Sequence, residues 1–205
     1  MIAVIDYGVG NLFSLKSSFD YVGLNTQITR DPEIIKNSSA VILPGVGAFR
    51  DAVMKLEELN LKKLLINEAQ SGKMFLGICL GMQMLFDKSF EYGEYEGLGL
   101  IKGNIRPMKE KIKNTKLKIP HMGWNRLIFN NQDPILKYID EKSYVYYVHS
   151  YYADMNNEDI ISYSDYEINI PGIVRNGNVY GIQFHPEKSS DTGLNILKAF
   201  GEMIK

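Results

Sequence analysis

The sequence predicts an α/β fold: a doubly wound, mostly parallel sheet flanked by helices, with additional antiparallel strands in the second half. Two patterns carry that expectation. In the first half, short runs of branched apolar residues alternate with segments whose apolar residues recur at helical spacing. That order builds parallel strand-helix-strand units. In the second half, strand-like runs follow one another with turn signals between them. The 205 residues suffice for one sizeable core, and no linker divides them, so a single domain over 1–205 is expected.

Ile2-Ala3-Val4-Ile5 is the first strand, ended by Asp6-Tyr7-Gly8-Val9-Gly10-Asn11. Leu12, Leu15, Phe19 and Val22 then mark a helix over 12–21. The glycines before it resemble a phosphate-cradling turn, but the full G-x-G-x-x-G fingerprint is absent and no dinucleotide site is expected. Residues 25–29 form a second strand. Asp31-Pro32-Glu33 opens a short helix, with Asp as N-cap and Pro at the first helical position. Ala40 to Leu43 is the third strand, ending at Pro44-Gly45-Val46-Gly47-Ala48-Phe49. Helices follow at 49–58 and 61–70. Met74 to Ile78 is the fourth strand, and Met82 to Phe86 again repeats at helical spacing.

After about residue 95 the pattern changes. Residues 98–105 read as short strands broken by glycines, and Lys109 to Lys118 as an exposed, lysine-rich loop or hairpin. Strand-like segments follow at 124–129, 144–149, 160–165, 171–175 and 178–184, with Asn176-Gly177-Asn178 as a hairpin turn. A helix over 193–204 presents Leu194, Leu197, Phe200 and Ile204 to the sheet. These later strands are expected to continue the same sheet.

Composition narrows the function. A formal net charge of −1 gives no footprint for nucleic acid or an anionic membrane. One cysteine forbids an intrachain disulfide and suits a reducing compartment. No apolar run approaches the ~20 residues that span a bilayer, and no basic segment precedes the first strand, so a cytoplasmic protein is expected.

Cys79 carries the chemistry. It stands between a strand and a helix, with Gly77 and Gly81 two residues away on each side. A strand that turns abruptly into a helix needs small neighbours. The same frame around serine forms the nucleophile elbow of hydrolases. Here a thiol takes that place, at a helix start whose free N–H groups favour thiolate. In doubly wound folds the loops at the carboxyl ends of the strands gather at one edge. The turns after residues 5, 43 and 78 should therefore surround Cys79. Of three histidines, His185 follows a buried-strand run and precedes Pro186-Glu187. If extension persists, His185 and Glu187 point to one side, and Cys79, His185 and Glu187 become nucleophile, base and orienter. The Leu80 amide and the Pro44-Gly45-Val46-Gly47 turn are candidate oxyanion donors. A core cysteine and a capping histidine beside a surface glutamate are the alternatives.

Gly77-Ile78-Cys79-Leu80-Gly81-Met82-Gln83 with His185-Pro186-Glu187 resembles the class I (triad) glutamine amidotransferases. Segments 44–49, 120–125, 147–151 and 181–189 add a narrower similarity, to the glutaminase subunits of imidazole glycerol phosphate synthases. The similarity runs along essentially the whole chain. It implies glutamine hydrolysis through a Cys79 thioester, with His185 and Glu187 completing the triad. It implies an oxyanion hole of Val46, Gly47 and Leu80, and glutamine held by Gly45, Gly47, Gln83, Ser150 and Tyr151. It also implies a separate TIM-barrel cyclase as partner in a heterodimer, contacted by Asn11, Trp124, Asn125, Tyr146 and Lys188. Ammonia would pass to that partner for histidine biosynthesis. No metal, cofactor, nucleic acid or membrane is implied. The same chemistry could instead supply a sugar-amidating enzyme. A non-catalytic binding subunit and a free-standing thiol peptidase are more distant alternatives. The similarity assigns no role to His121.

Overall fold

A computed structural model describes residues 1–204. The first half alternates as the sequence predicts: β1 (Ile2–Ile5), α1 (Leu12–Tyr21), β2 (Thr26–Thr29), α2 (Pro32–Asn37), β3 (Ala40–Leu43), α3 (Phe49–Glu58), α4 (Leu61–Gln70) and β4 (Met74–Ile78). Next come α5 (Leu80–Met84), β5 (Phe86–Ser89), β6 (Tyr95–Glu96) and β7 (Ile101–Pro107). The second half holds β8 (His121–Arg126), β9 (Ile128–Phe129), β10 (Tyr144–His149), β11 (Tyr151–Asp154), β12 (Ile160–Asp165), β13 (Asn169–Asn176), β14 (Val179–Ile182) and α6 (Ser190–Glu202).

The central sheet has the order β2-β1-β3-β4-β14-β13-β12-β9. Pairing is parallel from β2 through β14 and antiparallel from β14 to β9. Strands β1, β3 and β14 are buried along their whole length, as strands covered on both faces must be. One apolar cluster joins Ile5, Leu43 and Phe75 to Phe49, Leu56 and Leu65 from α3 and α4. The other joins Val4, Ile42 and Leu76 to Leu15, Phe19 and Phe200 from α1 and α6. Helices thus cover both faces, which is the doubly wound arrangement. Among the described residues no helix is long and apolar enough to cross a membrane.

The second half departs from the expectation of one continued sheet. β9, β12, β13 and β14 extend the central sheet, but β10 pairs only with β8, and β11-β7-β5-β6 form a separate four-stranded sheet. The helix expected at 82–86 begins earlier and ends at Met84. Phe86–Ser89 leaves it as a strand that pairs with β7. The lysine-rich segment is mostly exposed, yet Met108 and Ile112 are buried and anchor it.

Candidate active site

The elbow forms where β4 meets α5. Cys79 has φ 54° and ψ −110°, a conformation that non-glycine residues rarely hold without support. Support comes from β14 and from the turn after β3. The Cys79 amide donates to the Ile182 carbonyl at 2.7 Å, and the Leu80 amide to the Gly45 carbonyl at 3.3 Å. The glycines make the turn possible by letting backbones touch. A β-carbon on Gly77 would lie 2.6 Å from the Gly81 carbonyl oxygen. One on Gly81 would run into the Leu43 carbonyl.

His185 lies just beyond β14, in extended backbone, and its amide donates to the Tyr146 carbonyl at 2.9 Å. Extension does not persist past it. Pro186–Lys188 is a 3-10 turn, and the histidine-glutamate pair forms across that turn. Its Nδ1 and Glu187 Oε1 are 2.9 Å apart. An ionised carboxylate only accepts, so Nδ1 is the donor. The other ring nitrogen, Nε2, is buried and makes no hydrogen bond among the described residues, and neither does Glu187 Oε2. Burial works against charge on this imidazole, but the pull of its partners Cys79 and Glu187 outweighs it, and the pKa is pushed up to about 10.

Cys79 and His185 open into one cavity of about 530 Å³, whose walls include Val46, Gly47, Leu80, Gln83, Ser150 and Tyr151. The structure thus gathers most of the residues singled out from the sequence. Strand ends, an elbow and a turn supply them from four separated stretches of chain. Among the described residues, the Val46 and Gly47 amides donate no hydrogen bond, and Gly47 sits at φ +95°. A nucleophile, an oriented imidazole and unpaired backbone donors in a partly closed cavity are the parts of acyl transfer through sulfur.

The family model described as glutamine amidotransferase class-I matches residues 3–203. The chain belongs to this family. It is 50% identical over 206 residues to the imidazole glycerol phosphate synthase subunit HisH of Caldanaerobacter subterraneus subsp. tengcongensis, covering 100% of this chain and 99% of that protein. The subunit of the same name from Bacillus subtilis is 47% identical, with 99% and 96% covered. Among solved structures, that of PurLQS from Thermotoga maritima superposes with a TM-score of 0.75 at 20% identity, covering 100% of this chain and 98% of that one. A crystal structure of a glutamine amidotransferase gives 0.74 at 17% identity, covering 98% and 100%. These structural matches show the fold.

Several residues in and beside the cavity were not singled out in the sequence. Gln183 is fully buried, accepts from Gln83 Nε2 at 3.0 Å and points its own Nε2 at the Cys79 sulfur, 4.0 Å away. Its position two residues before His185 is the only local signal for it. Among the described residues, Glu91 is the one carboxylate on the cavity wall, and Lys109 the one amine. The Glu91 Oε2 also accepts from the Phe49 amide at the start of α3, 2.6 Å away. Burial raises its pKa, more than that bond lowers it. His149 lines the cavity as well.

The other expected residues lie away from the cavity wall. Gly45 is absent from the cavity wall; its carbonyl accepts from the Leu80 amide, and a β-carbon there would lie 2.6 Å from the Tyr7 hydroxyl. Trp124 is 52% exposed and meets Tyr146 edge-on at 5.9 Å, with the Lys188 ammonium 6.0 Å from the same ring. Those three make one surface patch. Asn125 turns inward, and its amide is taken up by the Asp165 carbonyl and the Arg126 amide. Asn11 caps α1, accepting from the Ser14 amide at 3.4 Å.

Proposed function

We propose that this chain hydrolyses glutamine to glutamate and ammonia, as the glutaminase subunit of an imidazole glycerol phosphate synthase in histidine biosynthesis. One observation carries the chemistry: His185 is held at Nδ1 by Glu187, with Nε2 left unpaired in the same cavity as the strained Cys79. The full-length likeness to curated HisH subunits supports the pathway.

In this mechanism Cys79 Sγ attacks the side-chain amide carbon of glutamine. His185 Nε2 takes the thiol proton and hands it to the departing ammonia. The C–N bond breaks and a glutamyl thioester remains. Water then attacks, giving its proton to His185, which passes it to Cys79 Sγ as the C–S bond breaks and glutamate is released. Glu187 keeps the ring in one tautomer and balances its charge. The Leu80 amide and the Val46-Gly47 turn serve the oxyanion. A zwitterionic amino acid needs one anionic and one cationic partner. Glu91 and Lys109 on the wall supply them, beside Gln83, Ser150 and Tyr151.

A TIM-barrel cyclase subunit receives the ammonia, docking on the Trp124-Tyr146-Lys188 patch. The chain acts as one domain in the cytoplasm. The deciding experiment measures glutamate release from glutamine by the chain alone, then with a histidine-pathway cyclase from the same organism and its ribonucleotide substrate. Stimulation that vanishes in Cys79→Ser supports the proposal. Turnover indifferent to the cyclase overturns the pathway, and absence of turnover in both overturns the enzyme.

A further inference from the structure

His121 and His149 lie directly opposite each other in the β8–β10 pair. Both are buried, and their rings meet with His121 Nδ1 3.0 Å from His149 Nε2. At one end of the pair, His149 Nδ1 is 2.8 Å from the Tyr151 carbonyl oxygen. A carbonyl only accepts, so His149 carries its proton on Nδ1. In a neutral ring Nε2 is then an acceptor, and His121 must donate from Nδ1. The other end fixes the same direction independently. Asn125 Nδ2 donates to the Asp165 carbonyl, which identifies it as the nitrogen. The same Nδ2 lies 3.3 Å from His121 Nε2, so Nε2 accepts. Both rings are neutral in this scheme, as burial demands: it presses His121 to about 4 and His149 to about 3.

The chain of bonds does not stop at Tyr151. The Tyr151 carbonyl also accepts from Gln83 Nε2 at 3.2 Å. That nitrogen bonds Gln183, whose amide faces the Cys79 sulfur. One continuous network therefore runs from Asn125 on β8 to the nucleophile. Stacking holds its middle in place. The His121 ring lies between Tyr147 and Tyr166, at centroid distances of 4.7 and 4.1 Å.

We propose that His121 and His149 are positioning residues of the glutamine pocket, each carrying its proton on Nδ1, which fix the Tyr151 carbonyl and through it the Gln83 amide. This rests on the glutaminase reading above. Neither histidine meets the reacting atoms. They set the wall that glutamine binds against, so their loss acts on glutamine binding more than on the chemical step.

Two measurements test it. The first needs no activity. Nitrogen-15 NMR of the histidine-labelled chain near pH 7 should show both rings protonated at Nδ1 and bare at Nε2. That is the opposite of the usual solution tautomer, and a proton on Nε2 of either ring overturns the proposal. The second uses the chain with its cyclase. His121→Phe keeps the stacked ring but removes both hydrogen bonds. It should raise KM for glutamine about tenfold, one lost bond's worth, while kcat changes less than about threefold. His121→Asn puts an amide N–H near the place of Nδ1 and should restore KM to within about threefold. An unchanged KM in His121→Phe, or no rescue by Asn, overturns the proposal. If the variant does not fold, His149→Asn, which keeps a donor for the Tyr151 carbonyl, should hold KM near the wild-type value where His149→Leu does not. A wild-type chain without glutaminase activity would sink the functional reading alone, since the NMR still judges the tautomers.

Discussion

The Leu80 amide donates to the Gly45 carbonyl at 3.3 Å. This is the first N–H after the nucleophile, the donor that a tetrahedral oxyanion would take. A donor already paired to protein is not preorganised for the transition state. One missing oxyanion donor lowers kcat by roughly 10²–10³. The isolated chain should therefore release glutamate at least about 10²-fold more slowly than the chain with its cyclase and ribonucleotide. Steady-state glutamate release under both conditions checks this, and equal rates would mean that the Leu80–Gly45 bond is no brake.

Glu187 holds His185 in two ways, as acceptor for Nδ1 and as negative charge beside it. Glu187→Gln keeps an acceptor oxygen and removes the charge. The His185 pKa should then drop from about 10. Glutaminase kcat should fall by about 10²-fold, in the range for lost acid-base support. Histidine NMR reads the first quantity and turnover with the cyclase the second.

Gly81 has no room for a side chain, because the Leu43 carbonyl fills the place of its β-carbon. The obstacle is backbone from β3, so no rotamer change relieves it. Gly81→Ala should destabilise by about 3 kcal/mol, the upper part of the overpacking range. For a chain of this size that lowers Tm by roughly 6–12 °C. Gly72→Ala is a useful contrast, since a β-carbon there meets nothing and only its φ of +92° penalises it. Calorimetry of the two variants separates a steric clash from backbone strain.

Stability should be greatest near neutral pH and fall on both sides. His121 and His149 have pKa values pressed to about 4 and about 3, below the ordinary 6.5. The unfolded chain thus binds protons that the folded chain refuses. Their contribution is complete above about pH 6.5 and is lost as pH falls toward 4, by about 1.4 kcal/mol per unit for each histidine. His185 behaves oppositely. Its raised value makes its contribution complete below about 6.5, and that contribution is lost as pH rises toward 10. Urea unfolding across pH 4–10 reads both limbs. His121→Phe should flatten the acid limb, and Glu187→Gln the alkaline one.

The sequence by itself determined the parallel first half, the elbow and the residues proposed as the main reacting groups. These features have local causes. Buried strands and amphipathic helices differ in period, so β1 to β4 and their helices are readable from spacing alone. The elbow shows itself because a crowded turn demands Gly77 and Gly81 around Cys79. The pairing of His185 with Glu187 was legible because they stand two positions apart, although a turn rather than an extended strand brings them together. Tertiary structure decided what depends on partners far away in the chain. Alternation shows that β7, β8 and β10 have two faces, but nothing in it says that they leave the central sheet. The His121–His149 bond spans 28 positions and the Gln83–Gln183 bond 100. Strand register and buried hydrogen bonding select such pairs, and neither leaves a local mark in sequence. Glu91 likewise lies on the cavity wall with its carboxylate held by the Phe49 amide of α3, 42 positions away.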